Sequence, residues 1–161
     1  SQMGPVNSAG HYQRVLSFVE SARQDGAKLL TGGQRPSGAD FRRGYWIQPT
    51  VYGDVTMDMR VAREEIFGPI LSILKWRTQE EAIAMANATE YGLTAGVWTH
   101  DLKLAMSFVR AIQSGFVYVN NTARHFVGTP FGGWKNSGLG REEYLGELLS
   151  YTQNKGIHIF V

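Results

Sequence analysis

Apolar residues recur at helical spacing over residues 9–25, where Val15, Phe18, Val19 and Ala22 fall on one face. Asn7 and Ser8 stand ready as caps and Gly26 supplies a stop, so the pattern predicts an amphipathic helix. Residues 27–30 form a short apolar run closed by Gly32 and Gly33, and residues 34–44 read as a surface loop. Residues 45–52 are aromatic and β-branched and predict a strand. Pro49 within it cannot donate to a ladder and places it at an edge or a bend.

The middle of the chain is more regular. Residues 70–76 predict a strand, and Thr78 with Glu81 forms a capping box before a helical face of Ala82, Ile83 and Ala86 that ends near Gly92. Residues 95–99 predict the next strand. Asp101 caps a second helix whose Leu104, Ala105, Phe108 and Ile112 share a face, Gly115 closes it, and residues 116–119 predict a third strand. Strands and helices alternating over connections this short predict parallel strands joined by crossovers, with helices covering the sheet. The expected class is therefore α/β, built from parallel βαβ units. After Asn120 a long loop runs to Gly140, a short helix follows over about residues 141–149, and residues 151–161 end in Ile157, Ile159 and Val161. That period of two predicts a C-terminal β-strand tail.

Composition narrows the function classes. A chain of 161 residues fits the length prior for one domain, and 43% hydrophobic residues exclude a disordered chain. No run approaches the roughly 18 apolar residues of a spanning helix, and the first ten residues lack a secretory pattern, so a cytoplasmic location is the expectation. The charge balance of 16 − 14 = +2 is spread along the chain and does not indicate nucleic-acid binding. Cysteine is absent, which excludes disulfides, thiolate zinc sites and any thiol nucleophile within these residues. His11, His100, His125 and His158 are too scattered for a local metal pair, so no metal site is expected and each reads as an ordinary surface or loop residue. Neither a G-x-S-x-G elbow nor a complete phosphate loop is present.

Two segments carry more. In Arg63-Glu64-Glu65-Ile66-Phe67-Gly68-Pro69, a carboxylate and an aromatic stand at a Gly-Pro turn just before an apolar strand. A carboxylate there can accept two hydrogen bonds from a sugar diol, and an aromatic face two residues on can pack against a flat heterocycle. The alternative is a solvated acidic pair beside a core phenylalanine. The second segment, Pro130-Phe131-Gly132-Gly133-Trp134-Lys135-Asn136-Ser137-Gly138-Leu139-Gly140-Arg141-Glu142, places small residues where other backbone must approach closely.

Together these segments resemble the C-terminal part of the NAD(P)-dependent aldehyde dehydrogenase superfamily, where they appear as E-E-I-F-G-P and P-F-G-G-x-K-x-S-G-x-G-R-E. Gly4-Pro5, the runs at 26–33 and 44–51, Asn87, Tyr91-Gly92-Leu93, Gly115 and Val119-Asn120 follow the same family order. The resemblance implies a partial catalytic domain over residues 1–150 and a C-terminal oligomerisation strand over residues 151–161, in a homo-oligomer. Family enzymes oxidise an aldehyde to a carboxylic acid: a cysteine thiolate attacks the carbonyl, hydride passes to the nicotinamide of NAD or NADP, and water releases the acid. The nucleotide-binding domain, the cysteine and the base lie upstream of the matched region. The expected function is thus a C-terminal fragment that is inactive alone and binds the coenzyme weakly or not at all by itself. The alternative is a free-standing, non-catalytic assembly module. By the motif matches, Glu65 resembles the residue that grips the nicotinamide ribose and Phe67 the one that positions the nicotinamide ring. Phe131 resembles an aromatic lining the aldehyde tunnel. Glu142 resembles a buried carboxylate near the catalytic region, with stabilisation of a helix N-terminus as its other reading. Arg124 and His125 fall in the family's substrate-mouth loop and would favour an aldehyde with a polar or acidic distal group.

Overall fold

The structure, a computed structural model, describes residues 3–122 and 126–161. The chain divides into two compact units, Ser1–Arg77 and Thr78–Val161. The first unit begins with helix α1 (Ala9–Gln24), whose cap is Ser8: its side chain accepts from the His11 amide. The predicted stripe is the one buried, with Val15, Phe18 and Ala22 fully enclosed.

Against α1 packs a three-stranded sheet in the order β1 (Lys28–Thr31), β2 (Thr50–Gly53), β3 (Ile70–Ser72). β1 runs antiparallel to β2, and β3 runs parallel to it, in register Thr50 to Ile70. The strand expected over 45–52 is real only from Thr50 onward. Before it, Tyr45 makes an isolated bridge to Val6, and Pro49 brings no N–H to a ladder. The apolar run at 27–30 became β1 although its four residues are all exposed, so no alternation marked it as a strand. β3 is likewise shorter than its predicted 70–76. A four-residue helix α2 (Arg60–Arg63) stands between β2 and β3. The core of this unit gathers Val15, Phe18, Ala22, Ile47, Tyr52, Val55, Met59, Val61 and Ile66.

Tyr52 is 2% exposed, and burial pushes its phenol pKa up. Both states are neutral well below the unfolded value of about 10; above it the unfolded chain sheds a proton that the folded chain retains. Stability is therefore fully present below about pH 10 and is lost as pH rises toward the folded pKa. In urea titrations at about pH 9 and about pH 11, the native chain should lose more stability than Tyr52→Phe. Equal losses would contradict this.

The second unit contains α3 (Gln79–Asn87), β4 (Tyr91–Gly92), β5 (Thr94–Val97), α4 (Leu102–Ala111), β6 (Phe116–Val119), β7 (Trp134–Lys135) and α5 (Leu145–Ser150). Both predicted caps form: the Thr78 side chain accepts from the Glu81 amide, and Asp101 Oδ1 accepts from Leu104 at 3.0 Å. β5, α4 and β6 make the expected strand–crossover–strand unit, with β5 and β6 parallel from Thr94–Phe116 to Val97–Val119. Within the predicted loop, β7 returns to pair antiparallel with β4. Helix α5 starts later than expected, at Leu145. Among the described residues no strand includes 152–161, which are exposed. An alternating apolar sequence becomes a strand only where a partner offers a ladder.

Candidate functional site

The segment 64–69 is built by α1. The side chain of Ile66 is buried in the core, while its neighbours Glu65 and Phe67 project to solvent. Phe67 adopts φ 56°, a left-handed conformation that few non-glycine residues occupy. Gly68 follows, and a Cβ there would meet Val15 Cγ2 at 2.7 Å, so the turn lies directly on the helix.

Two α1 side chains fasten its backbone. Arg14 Nη2 donates to the Glu65 carbonyl at 2.6 Å, and His11 Nε2 meets the Phe67 carbonyl at 2.6 Å. The Phe67 ring is 76% exposed and, with Met3, Gly4, Gly68 and Pro69, lines an open, largely apolar cleft of about 440 Å³. Among the described residues the Glu65 carboxylate has no hydrogen-bond or ion-pair partner, whereas the neighbouring Glu64 is held by Arg60 at 3.0 Å. Arg60 also holds the Glu64 carboxyl below its ordinary pKa range. The adjacent carboxylates thus have different surroundings: Glu64 is engaged with the protein, and Glu65 is available to a ligand.

The second segment lies in the other unit and is held by backbone contacts where glycine is required. A Cβ on Gly115 would overlap the carbonyl oxygen of Gly132, and one on Gly133 would meet Ser137 at 2.5 Å. The loop is tied down by Lys135, whose Nζ donates to the carbonyls of Asn87 at 2.8 Å and Thr89 at 3.0 Å. Ser137 Oγ accepts from the Gly92 amide at 2.9 Å, and Arg141 Nη1 donates to the Gly133 carbonyl at 3.0 Å.

Phe131 and Glu142 come together as an antiparallel bridge with reciprocal amide bonds of 3.0 and 2.8 Å. The half-buried Phe131 ring packs on Phe116 at 5.5 Å. Glu142, expected to be a buried carboxylate, is exposed in this chain, because the bridge engages its backbone and leaves its side chain in solvent. It does not cap a helix either, since α5 begins three residues later with Tyr144 at the cap position. Arg124 and His125 lie outside the described residues.

His11, which the sequence presents as an ordinary surface residue, is half-buried and bonded to the turn, and Arg14, which no motif marks, is bonded to it as well. Their only local signal is position, since His11, Arg14, Val15 and Phe18 share one helical face. Among the described residues no cluster of His, Cys, Asp and Glu could hold a metal, and no helix is long and apolar enough to cross a membrane.

Parallel strand pairs, a carboxylate–aromatic turn and a glycine-bound return loop define a mixed α/β class of protein. The family follows from comparison. The aldehyde dehydrogenase family profile matches residues 1–157. Aldehyde dehydrogenase tropH of Talaromyces stipitatus is 44% identical over 160 residues, covering 98% of this chain and 31% of that protein. The NAD-dependent aldehyde dehydrogenase of Sinorhizobium meliloti superposes with a TM-score of 0.90 at 43% identity, over 99% of this chain and 31% of its own. The Mycobacterium tuberculosis aldehyde dehydrogenase complexed with NAD+ gives 0.88 at 42% identity, over 94% and 31%. This chain belongs to the aldehyde dehydrogenase family. It spans about a third of the length of the relatives it matches.

Proposed function

We propose that this chain is the C-terminal segment of an NAD- or NADP-dependent aldehyde dehydrogenase. In this reading it supplies the nicotinamide-ribose side of the coenzyme site, while the thiol that attacks the aldehyde belongs to the rest of the polypeptide. The observation that carries the reading is the 65–67 turn. Glu65, whose carboxylate has no partner among the described residues, stands two residues from the exposed Phe67 ring that lines an open, largely apolar cleft, and α1 holds the backbone of both from behind.

These residues fit a nicotinamide riboside chemically. Glu65 has the acceptor oxygens for two ribose hydroxyls, and Phe67 has a free face for a planar ring. The coenzyme, when bound, supplies hydride acceptance. This chain's own residues bind and orient it, and Phe131 contributes an apolar wall for the aldehyde in the second unit. With 161 residues and no cysteine, the segment has no thiol to form a bond to a carbonyl carbon, so it is inactive alone.

Glu65→Gln in the full-length protein tests the assignment. The amide keeps the size and loses the charge-assisted acceptor pair, so the KM for the coenzyme should rise about tenfold while the KM for the aldehyde stays within about twofold. An unchanged coenzyme KM would remove Glu65 from the site.

A further inference from the structure

We propose that His11 and Arg14 of α1 are positioning residues for the coenzyme, acting through the backbone of the 65–67 turn. The inference rests on the reading of Glu65 and Phe67 as coenzyme contacts. It goes further by assigning the source of their orientation to a helix more than fifty residues earlier in the chain.

The turn has a conformational problem. Phe67 sits at φ 56°, a left-handed conformation unfavourable for a residue with a Cβ, which persists only where surrounding contacts over-determine it. Its ring cannot supply those contacts, being 76% exposed. The anchors are behind it: the buried Ile66 side chain, the Glu65 carbonyl on Arg14, and the Phe67 carbonyl on His11. Carbonyl oxygens only accept, so His11 must present Nε2 as an N–H. These two bonds flank Ile66, and the side chains of the same two residues are the ones that project into solvent. The helix therefore fixes the backbone under both ligand-facing side chains and leaves the Glu65 carboxylate unengaged.

The anchors are themselves held. The side-chain amide of Asn7 lies 3.0 Å from His11 Nδ1, which accepts when Nε2 carries the proton, so the amide meets it through its NH2; the imidazole lies 6.2 Å from the Phe67 ring at a tilt of 48°. The Arg14 guanidinium stacks 5.1 Å from the centroid of the fully buried Phe18, whose ring also carries the Arg60 guanidinium at 4.0 Å. Such stacking limits the rotamers of Arg14 before it meets the turn.

The test uses the full-length protein with substitutions that remove the donors and keep the packing, His11→Phe and Arg14→Met. His11→Gln, which restores an N–H donor, serves as the rescue. NAD is titrated calorimetrically, amide hydrogen exchange is followed at residues 64–68, and the KM for aldehyde is measured alongside. Each donor-less variant should bind NAD about tenfold more weakly, the cost of one hydrogen bond, and exchange faster at 64–68 with the aldehyde KM within about twofold. His11→Gln should recover most of the affinity. Phe67→Ala provides the discriminating control. If it weakens NAD binding while His11→Phe and Arg14→Met do not, the positioning role is overturned and the coenzyme reading stands. If Phe67→Ala also leaves NAD binding unchanged, the coenzyme reading fails and takes this inference with it.

Discussion

Replacing Phe67 by alanine in the full-length protein is expected to lower kcat/KM for the coenzyme about a hundredfold, the penalty for a reactant displaced by about an ångström from its reacting geometry. The expected effect is large because the ring makes little contact with its own chain. At 76% exposure it contributes little to folding, so its removal should barely shift the melting temperature. Alanine also has a Cβ and experiences the same left-handed backbone, and the two carbonyl anchors on α1 remain. What disappears is the surface against which a flat heterocycle can lie. Steady-state kinetics with varied coenzyme, alongside a thermal melt, separate the possibilities. Unchanged kinetics with a lowered melting temperature would show that the ring is structural.

The second large effect is on stability. Gly115→Ala is expected to destabilise the second unit by about 3 kcal/mol, near the upper end of overpacking costs. A methyl group at Gly115 requires the space held by the Gly132 carbonyl. That backbone cannot withdraw independently. It is tied through Arg141 on the Gly133 carbonyl, Ser137 on the Gly92 amide, and Lys135 on the carbonyls of Asn87 and Thr89. The Gly115 amide meanwhile donates to Gly92 at 2.9 Å, which fixes the other side of the contact. Urea unfolding measures the change, and a loss below about 0.5 kcal/mol, the range of an ordinary surface substitution, would mean that the loop yields freely.

Local chemistry determined which elements could be read in advance. Helix α4 has a cap at Asp101 and a single apolar face, and both appear in the folded chain. The parallel β5–β6 pair followed from the shortness of its helical connection. The two-residue strands β4 and β7 have no local signature, because they exist only through pairing between Tyr91 and Lys135 across the chain. β1 has no buried face to alternate with, and the predicted tail strand has no partner ladder among the described residues. The site shows the same division. Glu65 and Phe67 stand out as candidates in the sequence because their chemistry lies within three consecutive residues of one motif. His11 and Arg14 carry only their place on the face of α1 that buries Val15 and Phe18, because a hydrogen bond to a main-chain carbonyl 56 or 51 residues away gives the sequence no sign of its partner. At Glu142 a motif fixes identity and order but does not determine which atoms of a residue the fold engages: here the backbone bridges to Phe131 and the side chain is exposed.

The central claim is a division of labour: this segment orients a nicotinamide coenzyme, and a thiol outside it performs the attack. Aldehyde-dependent NADH formation, followed in parallel for the 161-residue chain and for the full-length protein, tests it most directly. The account predicts NADH in step with aldehyde consumption from the full-length protein and none from the isolated chain. Sustained NADH formation by the isolated chain would contradict it.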